Sequence, residues 1–202
     1  MKSKNQWSYI KKMVNTWFIS DTHFGHTNIL EFEKEARPFS SLEEMHEVMI
    51  ERWNSVVKHK DVVYHLGDFC FGRKYLDIAS RLNGTKKLVL GNHDTLSSAE
   101  YLAYFNKLYG MIYHKQCVLS HMPVYTNGLG SRWFVNVHGH LHSKKVRIDG
   151  ASKIPSIIKV VDGEIYRELP EDRNYFNVSC EQNNLTPIHW DCIALRIKEV
   201  ME

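Results

Sequence analysis

Five short apolar runs in this chain each end on residues able to hold a metal ion, and that repetition constrains the fold more than any other feature. Trp17-Phe18-Ile19 leads into Ser20-Asp21-Thr22-His23, Val62-Val63-Tyr64-His65-Leu66 into Gly67-Asp68, and Lys87-Leu88-Val89-Leu90 into Gly91-Asn92-His93-Asp94. Cys117-Val118-Leu119 leads into Ser120-His121, and Trp133-Phe134-Val135-Asn136-Val137 into His138-Gly139-His140-Leu141-His142. Short stretches rich in β-branched and aromatic residues read as buried strands, and a nearby glycine lets the backbone turn sharply at the strand end. One histidine after a strand is ordinarily structural. Five successive strand ends bearing carboxylate, amide or imidazole point instead to a single site at the carboxyl edge of a sheet. Asp21 and His23 are two residues apart, as are His140 and His142, so each pair is expected to face one way from an extended segment.

The ordered blocks Asp21-Thr22-His23, Gly67-Asp68, Gly91-Asn92-His93-Asp94, His121 and Gly139-His140-Leu141-His142 resemble those of the calcineurin-like metallophosphoesterases. The resemblance spans about residues 15 to 142, and a full ordered set is far more specific than any single short motif. It implies an α/β fold, a four-layer α-β-β-α sandwich of two mixed sheets flanked by helices. It implies two divalent ions, Mn²⁺ first, with Fe, Zn or Ni tolerated by the same ligands. Asp21, His23 and His142 would hold one ion, Asn92, His121 and His140 the other, and Asp68 would bridge them. A carboxylate has two oxygens and suits bridging, and the lack of thiolates argues against a structural zinc site. Water between such ions ionises near neutral pH and attacks phosphorus in line. His93 would then be the general acid, with Asp94 either orienting His93 or serving as a turn residue that caps the next helix.

The chain has 202 residues, 43% of them hydrophobic, and a net charge of +3. These values fit one globular domain over residues 13–202, preceded by a basic leader over 1–12 that either packs or stays disordered. The leader lacks the apolar core of a secretory signal, and no apolar run is long enough to span a membrane. Cys70, Cys117, Cys180 and Cys192 lie far apart without a C-x-x-C pair, which reads as reduced thiols in a cytoplasmic protein.

Periodicity predicts helices over 28–35, 42–57, 74–82, 97–105 and 190–200, the last docking on an outer sheet. Ser41 to Glu44 reads as a capping box, and a hairpin is expected to bring 145–148 and 157–161 together around Gly150. His46 and His59 read as solvated. His138 reads as a buried residue behind the site, and His26 and Arg37 as candidate substrate-binding residues. The segment 67–73 lacks the second Asp of the protein Ser/Thr phosphatases in the resembled superfamily. The expected activity is therefore hydrolysis of a small phosphodiester or nucleotide. Phosphomonoesterase, nuclease and non-catalytic scaffold are the alternatives. Dispersed basic residues disfavour long nucleic acid as a partner, and oligomeric state is not readable.

Overall fold

The computed structural model describes residues 14–130, 132–148, 157–161 and 164–202. The expected leader over 1–12 and the expected turn at Gly150 lie outside the described residues. In the first sheet, β1 (Thr16–Ile19), β2 (Val62–His65), β3 (Thr85–Val89) and β4 (Lys107–Tyr109) run parallel, and β11 (Ile188–His189) lies antiparallel beside β1. The second sheet has the order β10 (Tyr175–Asn177), β7 (Val135–His138), β6 (Cys117–Ser120), β5 (Met111–His114), with only β5 antiparallel to its neighbour. These are two mixed sheets with helices, the α/β architecture expected.

Strand alternation builds two cores. Ile19, Val63 and Leu88 face α2 (Leu42–Val56), whose Met45, Met49 and Trp53 are buried against them. Phe18, Tyr64 and Val89 face the other way and pack with Cys117, Leu119, Val135 and Val137 of the second sheet. Each residue thus buries on the face that a period of two assigns it. Helix α4 (Trp190–Met201) adds Ile193 and Ile197 to this inter-sheet core. It touches β1 and β11 of one sheet and β7 of the other, so it closes the side of the sandwich instead of lying on an outer sheet.

Several elements are shorter than periodicity predicts. The helix expected from residue 28 is the single turn α1 (Ile29–Phe32), with no side-chain cap at Asn28. The 97–105 helix contracts to α3 (Ser98–Leu102), started by a capping box of Ser97 and Glu100. Residues Arg73–Arg81 form a 3₁₀ helix. At α2, Ser41 Oγ accepts from Glu44 N–H, but the Glu44 carboxylate reaches back to Ser40 and not to Ser41, so the box is only half formed. The expected hairpin partner is also different. β8 (Ile157–Val161) pairs antiparallel with β9 (Glu164–Glu168), and Arg147 bridges to Glu171 instead.

Backbone hydrogen bonds fasten the sheets at one edge. Ser20 N–H donates to Val178 C=O (3.0 Å), and Cys180 N–H donates to Ser20 C=O (3.1 Å). Beneath this junction lies His65, the last residue of β2, wholly buried. The Thr22 hydroxyl proton goes to Phe69 C=O (2.7 Å), so His65 Nε2–H is the donor in its 3.0 Å contact with Thr22 Oγ1. His65 Nδ1 is left without a partner. Burial pushes the pKa of this imidazole down to about 3, with opposing help from Asp21 and Asp68.

The unfolded chain binds a proton at His65 below about pH 6.5, whereas the folded chain does not until about pH 3. Stability at this residue is therefore full above pH 6.5 and lost as pH falls, at about 1.4 kcal/mol per pH unit for one proton. In metal-free protein, His65→Gln is expected to flatten the decline of urea-unfolding free energy between pH 6.5 and 4.5 relative to the parent; parallel declines would contradict this assignment.

Candidate metal centre

Every expected ligand lies just beyond the carboxyl end of a strand. Asp21 and His23 follow β1, Asp68 follows β2, Asn92 follows β3, His121 follows β6, and His140 and His142 follow β7. The segments are not extended, as alternation had led one to expect. Asp21, His23, Asp68, His140 and His142 all have φ between 49° and 68°, the left-handed region that bulky residues rarely adopt. Each pair still converges, because successive tight turns and not a pleat aim the side chains. The left-handed residues concentrate where ligands must meet, as backbone strain does at functional sites. Gly67 (φ 98°) belongs to the same construction: a Cβ there would lie 2.6 Å from His121 Nδ1 and 2.7 Å from Gly91 N.

Two groups of ligand atoms result. Those of Asp21, His23 and His142 lie within 4.8 Å of one another, as do those of Asp68, His121 and His140. Asn92 joins the second group, its Oδ1 being 2.9 Å from His121 Nε2. Asp68 Oδ2 is 3.7 Å from His23 Nε2 and 3.3 Å from His121 Nε2, so one oxygen looks into both groups.

The donor chemistry fits divalent cations. His121 Nδ1–H donates to Leu66 C=O (2.9 Å), which leaves Nε2 and its lone pair facing Asp68. His142 Nδ1–H donates to Glu181 Oε1 (3.0 Å), which frees its Nε2 toward Asp21 in the same way. Both ring nitrogens of buried His23 lack hydrogen-bond partners, a condition that a bound cation at Nε2 relieves. Burial raises the pKa of the Asp21 carboxyl, but the His23 imidazole 3.8 Å away and the charges of His142 and His121 outweigh it and hold it well below the usual carboxylate range. At Asp68, burial is likewise outweighed, mainly by His121, and the pKa falls.

His93 is exposed, and its ring centre is 5.5 Å from that of His23. Its N–H donates to Asp68 Oδ1 (2.8 Å), which ties the loop to the ligand cluster. The two roles offered for Asp94 both need correction. Its carboxylate does not bond to His93; it accepts N–H bonds from Asp68 (2.8 Å), Phe69 (3.0 Å) and Gly91 (2.8 Å), with the Tyr101 hydroxyl at 3.4 Å. Ser97, not Asp94, caps α3. Asp94 is thus a clamp between the loops that carry Asp68 and Asn92.

Arg37 also departs from expectation. It is wholly buried, and so does not reach a phosphate. Nη2 donates to Asp21 C=O (2.5 Å), Nη1 to Thr22 C=O (3.1 Å) and Nε to Glu181 Oε1 (2.8 Å). Arg37 braces the first ligand loop and pairs with the carboxylate that orients His142. His46 is buried as well, since Nε2 accepts the Gly25 N–H (2.9 Å) and the ring packs against Phe24; His59 is exposed as read. His138 is wholly buried, with Nδ1–H on Gly139 C=O. His26 is partly exposed at the rim, stacked on Phe71. Glu181 and Ser179, whose hydroxyl donates to Asp21 Oδ2 (2.9 Å), were missed by sequence reading because they lie far along the chain in no recognisable pattern.

The family described as calcineurin-like phosphoesterase matches residues 14–190. An uncharacterised protein of Methanocaldococcus jannaschii is 30% identical over 191 residues, covering 93% of each chain. The gene 66 protein of Mycobacterium phage D29 is 32% identical over 168 residues, covering 67% of this chain and 82% of its own. The crystal structure of a protein of unknown function from Aquifex aeolicus is similar with a TM-score of 0.62 and 28% identity, covering 91% of this chain and 99% of that one.

Carboxylates that orient histidine ligands are commonly worth about 10–100-fold in metal affinity. Glu181→Gln is expected to weaken Mn²⁺ binding by that amount at the site of His142, measured by calorimetry on metal-stripped protein. Because Glu181 also pairs with buried Arg37, the unfolding midpoint is read alongside. Unchanged affinity in the folded variant would contradict the assignment.

Proposed function

The chain belongs to the calcineurin-like phosphoesterase family, and from that premise we propose that it hydrolyses a small phosphodiester or nucleotide with the help of two divalent cations, Mn²⁺ first among them. Asp21, His23 and His142 would hold one cation, Asn92, His121 and His140 the other, and Asp68 would serve both. The observation that carries this reading is the single Asp68 oxygen facing a histidine of each group. When bound, such cations lower the pKa of a water molecule and offset the negative charge of phosphate oxygens.

The chain's own residues supply the rest. In the hydrolysis a bond forms between a water oxygen and phosphorus, and the bond from phosphorus to one ester oxygen breaks. The departing oxygen takes its proton from the exposed His93 ring, whose backbone is anchored on Asp68. Asp94 holds the Asp68 and Asn92 loops at a fixed separation. Ser179 and the His140 N–H keep the Asp21 carboxylate aimed inward. A cytoplasmic setting is part of this reading, because four widely spaced cysteines without a C-x-x-C pair suit a reducing compartment. Among the described residues, no helix is long and apolar enough to cross a membrane.

Metal-stripped protein given Mn²⁺ is expected to hydrolyse bis-p-nitrophenyl phosphate faster than p-nitrophenyl phosphate. His93→Ala is expected to lower kcat by roughly 10²–10⁴-fold while retaining its bound metal. Preference for the monoester would replace the diester reading with a phosphatase, and an undiminished kcat in His93→Ala would remove His93 from the chemistry.

A further inference from the structure

Beside the ligand cluster stands a series of flat rings that metal binding does not require. Phe71 stacks on His26 with ring centres 4.1 Å apart and planes 15° from parallel. The same Phe71 ring is 4.8 Å from His93 and 5.9 Å from His23. Phe32 lies 6.1 Å from His26, its ring tilted by 55° to the imidazole, and is 69% exposed. It sits on the one-turn helix α1, whose Ile29 is only 2% exposed. The helix is therefore seated in the core by one face while Phe32 remains outside. A single exposed phenylalanine is ordinary on a protein surface; Phe32 is distinguished by its neighbour, the His26 ring that is itself stacked on Phe71 beside the ligand cluster.

The reaction supplies an occupant for these rings. His93 gives its proton to the departing ester oxygen, so one arm of the substrate passes beside His93. Phe71 lies next to His93, His26 is stacked on Phe71, and exposed Phe32 neighbours His26. Resting on the phosphoesterase reading above, we infer that His26, Phe71 and Phe32 form a stacking subsite for a planar ring on one ester arm, and that the substrate class is nucleoside phosphodiesters. Flat hydrocarbon and imidazole faces accept any base, because every base has a π-face. The subsite selects for the presence of a ring and not for its identity.

The test compares two diesters with similarly unactivated alcohols, using Mn²⁺-loaded protein and chromatographic detection. One is adenylyl-adenosine, in which both arms carry a base, and the other is glycerophosphoethanolamine, in which neither does. Adenylyl-adenosine is expected to be the better substrate. Phe32→Ala is expected to lower its kcat/KM by roughly tenfold, mainly through KM, and Phe32→Trp to restore it. Binding provides a second readout without turnover: Phe32→Ala introduced into the His93→Ala protein is expected to weaken adenosine monophosphate binding and leave that of glycerol phosphate unchanged. Equal effects of Phe32→Ala on both diesters, or no effect on either, would overturn the inference. Hydrolysis of bis-p-nitrophenyl phosphate without hydrolysis of adenylyl-adenosine would overturn it and leave the phosphoesterase reading standing. If none of the three is hydrolysed, both readings fall.

Discussion

Two buried carboxylates govern the rest of the structure. Asp21 is 0% exposed and Asp68 is 2% exposed, and a charge taken out of water needs partners or it neutralises. The fold provides them from both sheets. Asp21 accepts from the His140 N–H and the Ser179 hydroxyl, and Asp68 accepts from the His93 N–H, with His23, His121 and His142 close by. Parallel strands end at one edge, so the loops after β1, β2 and β3 meet those after β6 and β7. Stitches from Ser20 to Val178 and Cys180 hold that meeting place closed.

A carboxylate-rich, histidine-lined junction of this kind would be a poor core. It becomes intelligible as a seat for cations, and its rigidity is built from a further set of buried groups. Arg37 joins the Asp21 loop to Glu181, Glu181 orients His142, and Asp94 joins the Asp68 loop to the Asn92 loop. Removing one partner of a buried ion pair leaves an uncompensated charge and costs about 3–5 kcal/mol. These braces are therefore coupled to the stability of the fold as well as to the site.

Much of this was legible in the chain. The strand ends, the alternating core positions of β1 to β3 and the Met45, Met49, Trp53 stripe follow from residue pattern, because local periodicity and burial coincide there. The convergence of Asp21, His23 and His142, and of Asp68, His121 and His140, is signalled by the ordered blocks along the chain. What was not legible depends on long-range geometry. Arg37, in a loop before a proline, reads as a candidate substrate-binding residue, yet Glu181, 144 positions later, draws it inside. Asp94 reads as a partner of its neighbour His93 or as a cap of the next helix, yet its oxygens turn toward three backbone N–H groups. His46 lies on the helix face that meets Gly25, a contact that periodicity alone does not reveal. The left-handed turns at Asp21, His23, Asp68, His140 and His142 are not legible in the chain, because an extended segment and a tight turn can both bring alternate residues together.

A centre of two cations requires Asp68 to serve both groups at once, its Oδ2 lying 3.7 Å from His23 Nε2 and 3.3 Å from His121 Nε2. The direct measurement is metal content per chain, by mass spectrometry after Mn²⁺ loading and desalting, for the parent and for Asp68→Ala. Two ions per chain in the parent and a clear loss of both from a folded Asp68→Ala variant are the predicted result. One ion in the parent, or two retained after Asp68→Ala, would contradict it.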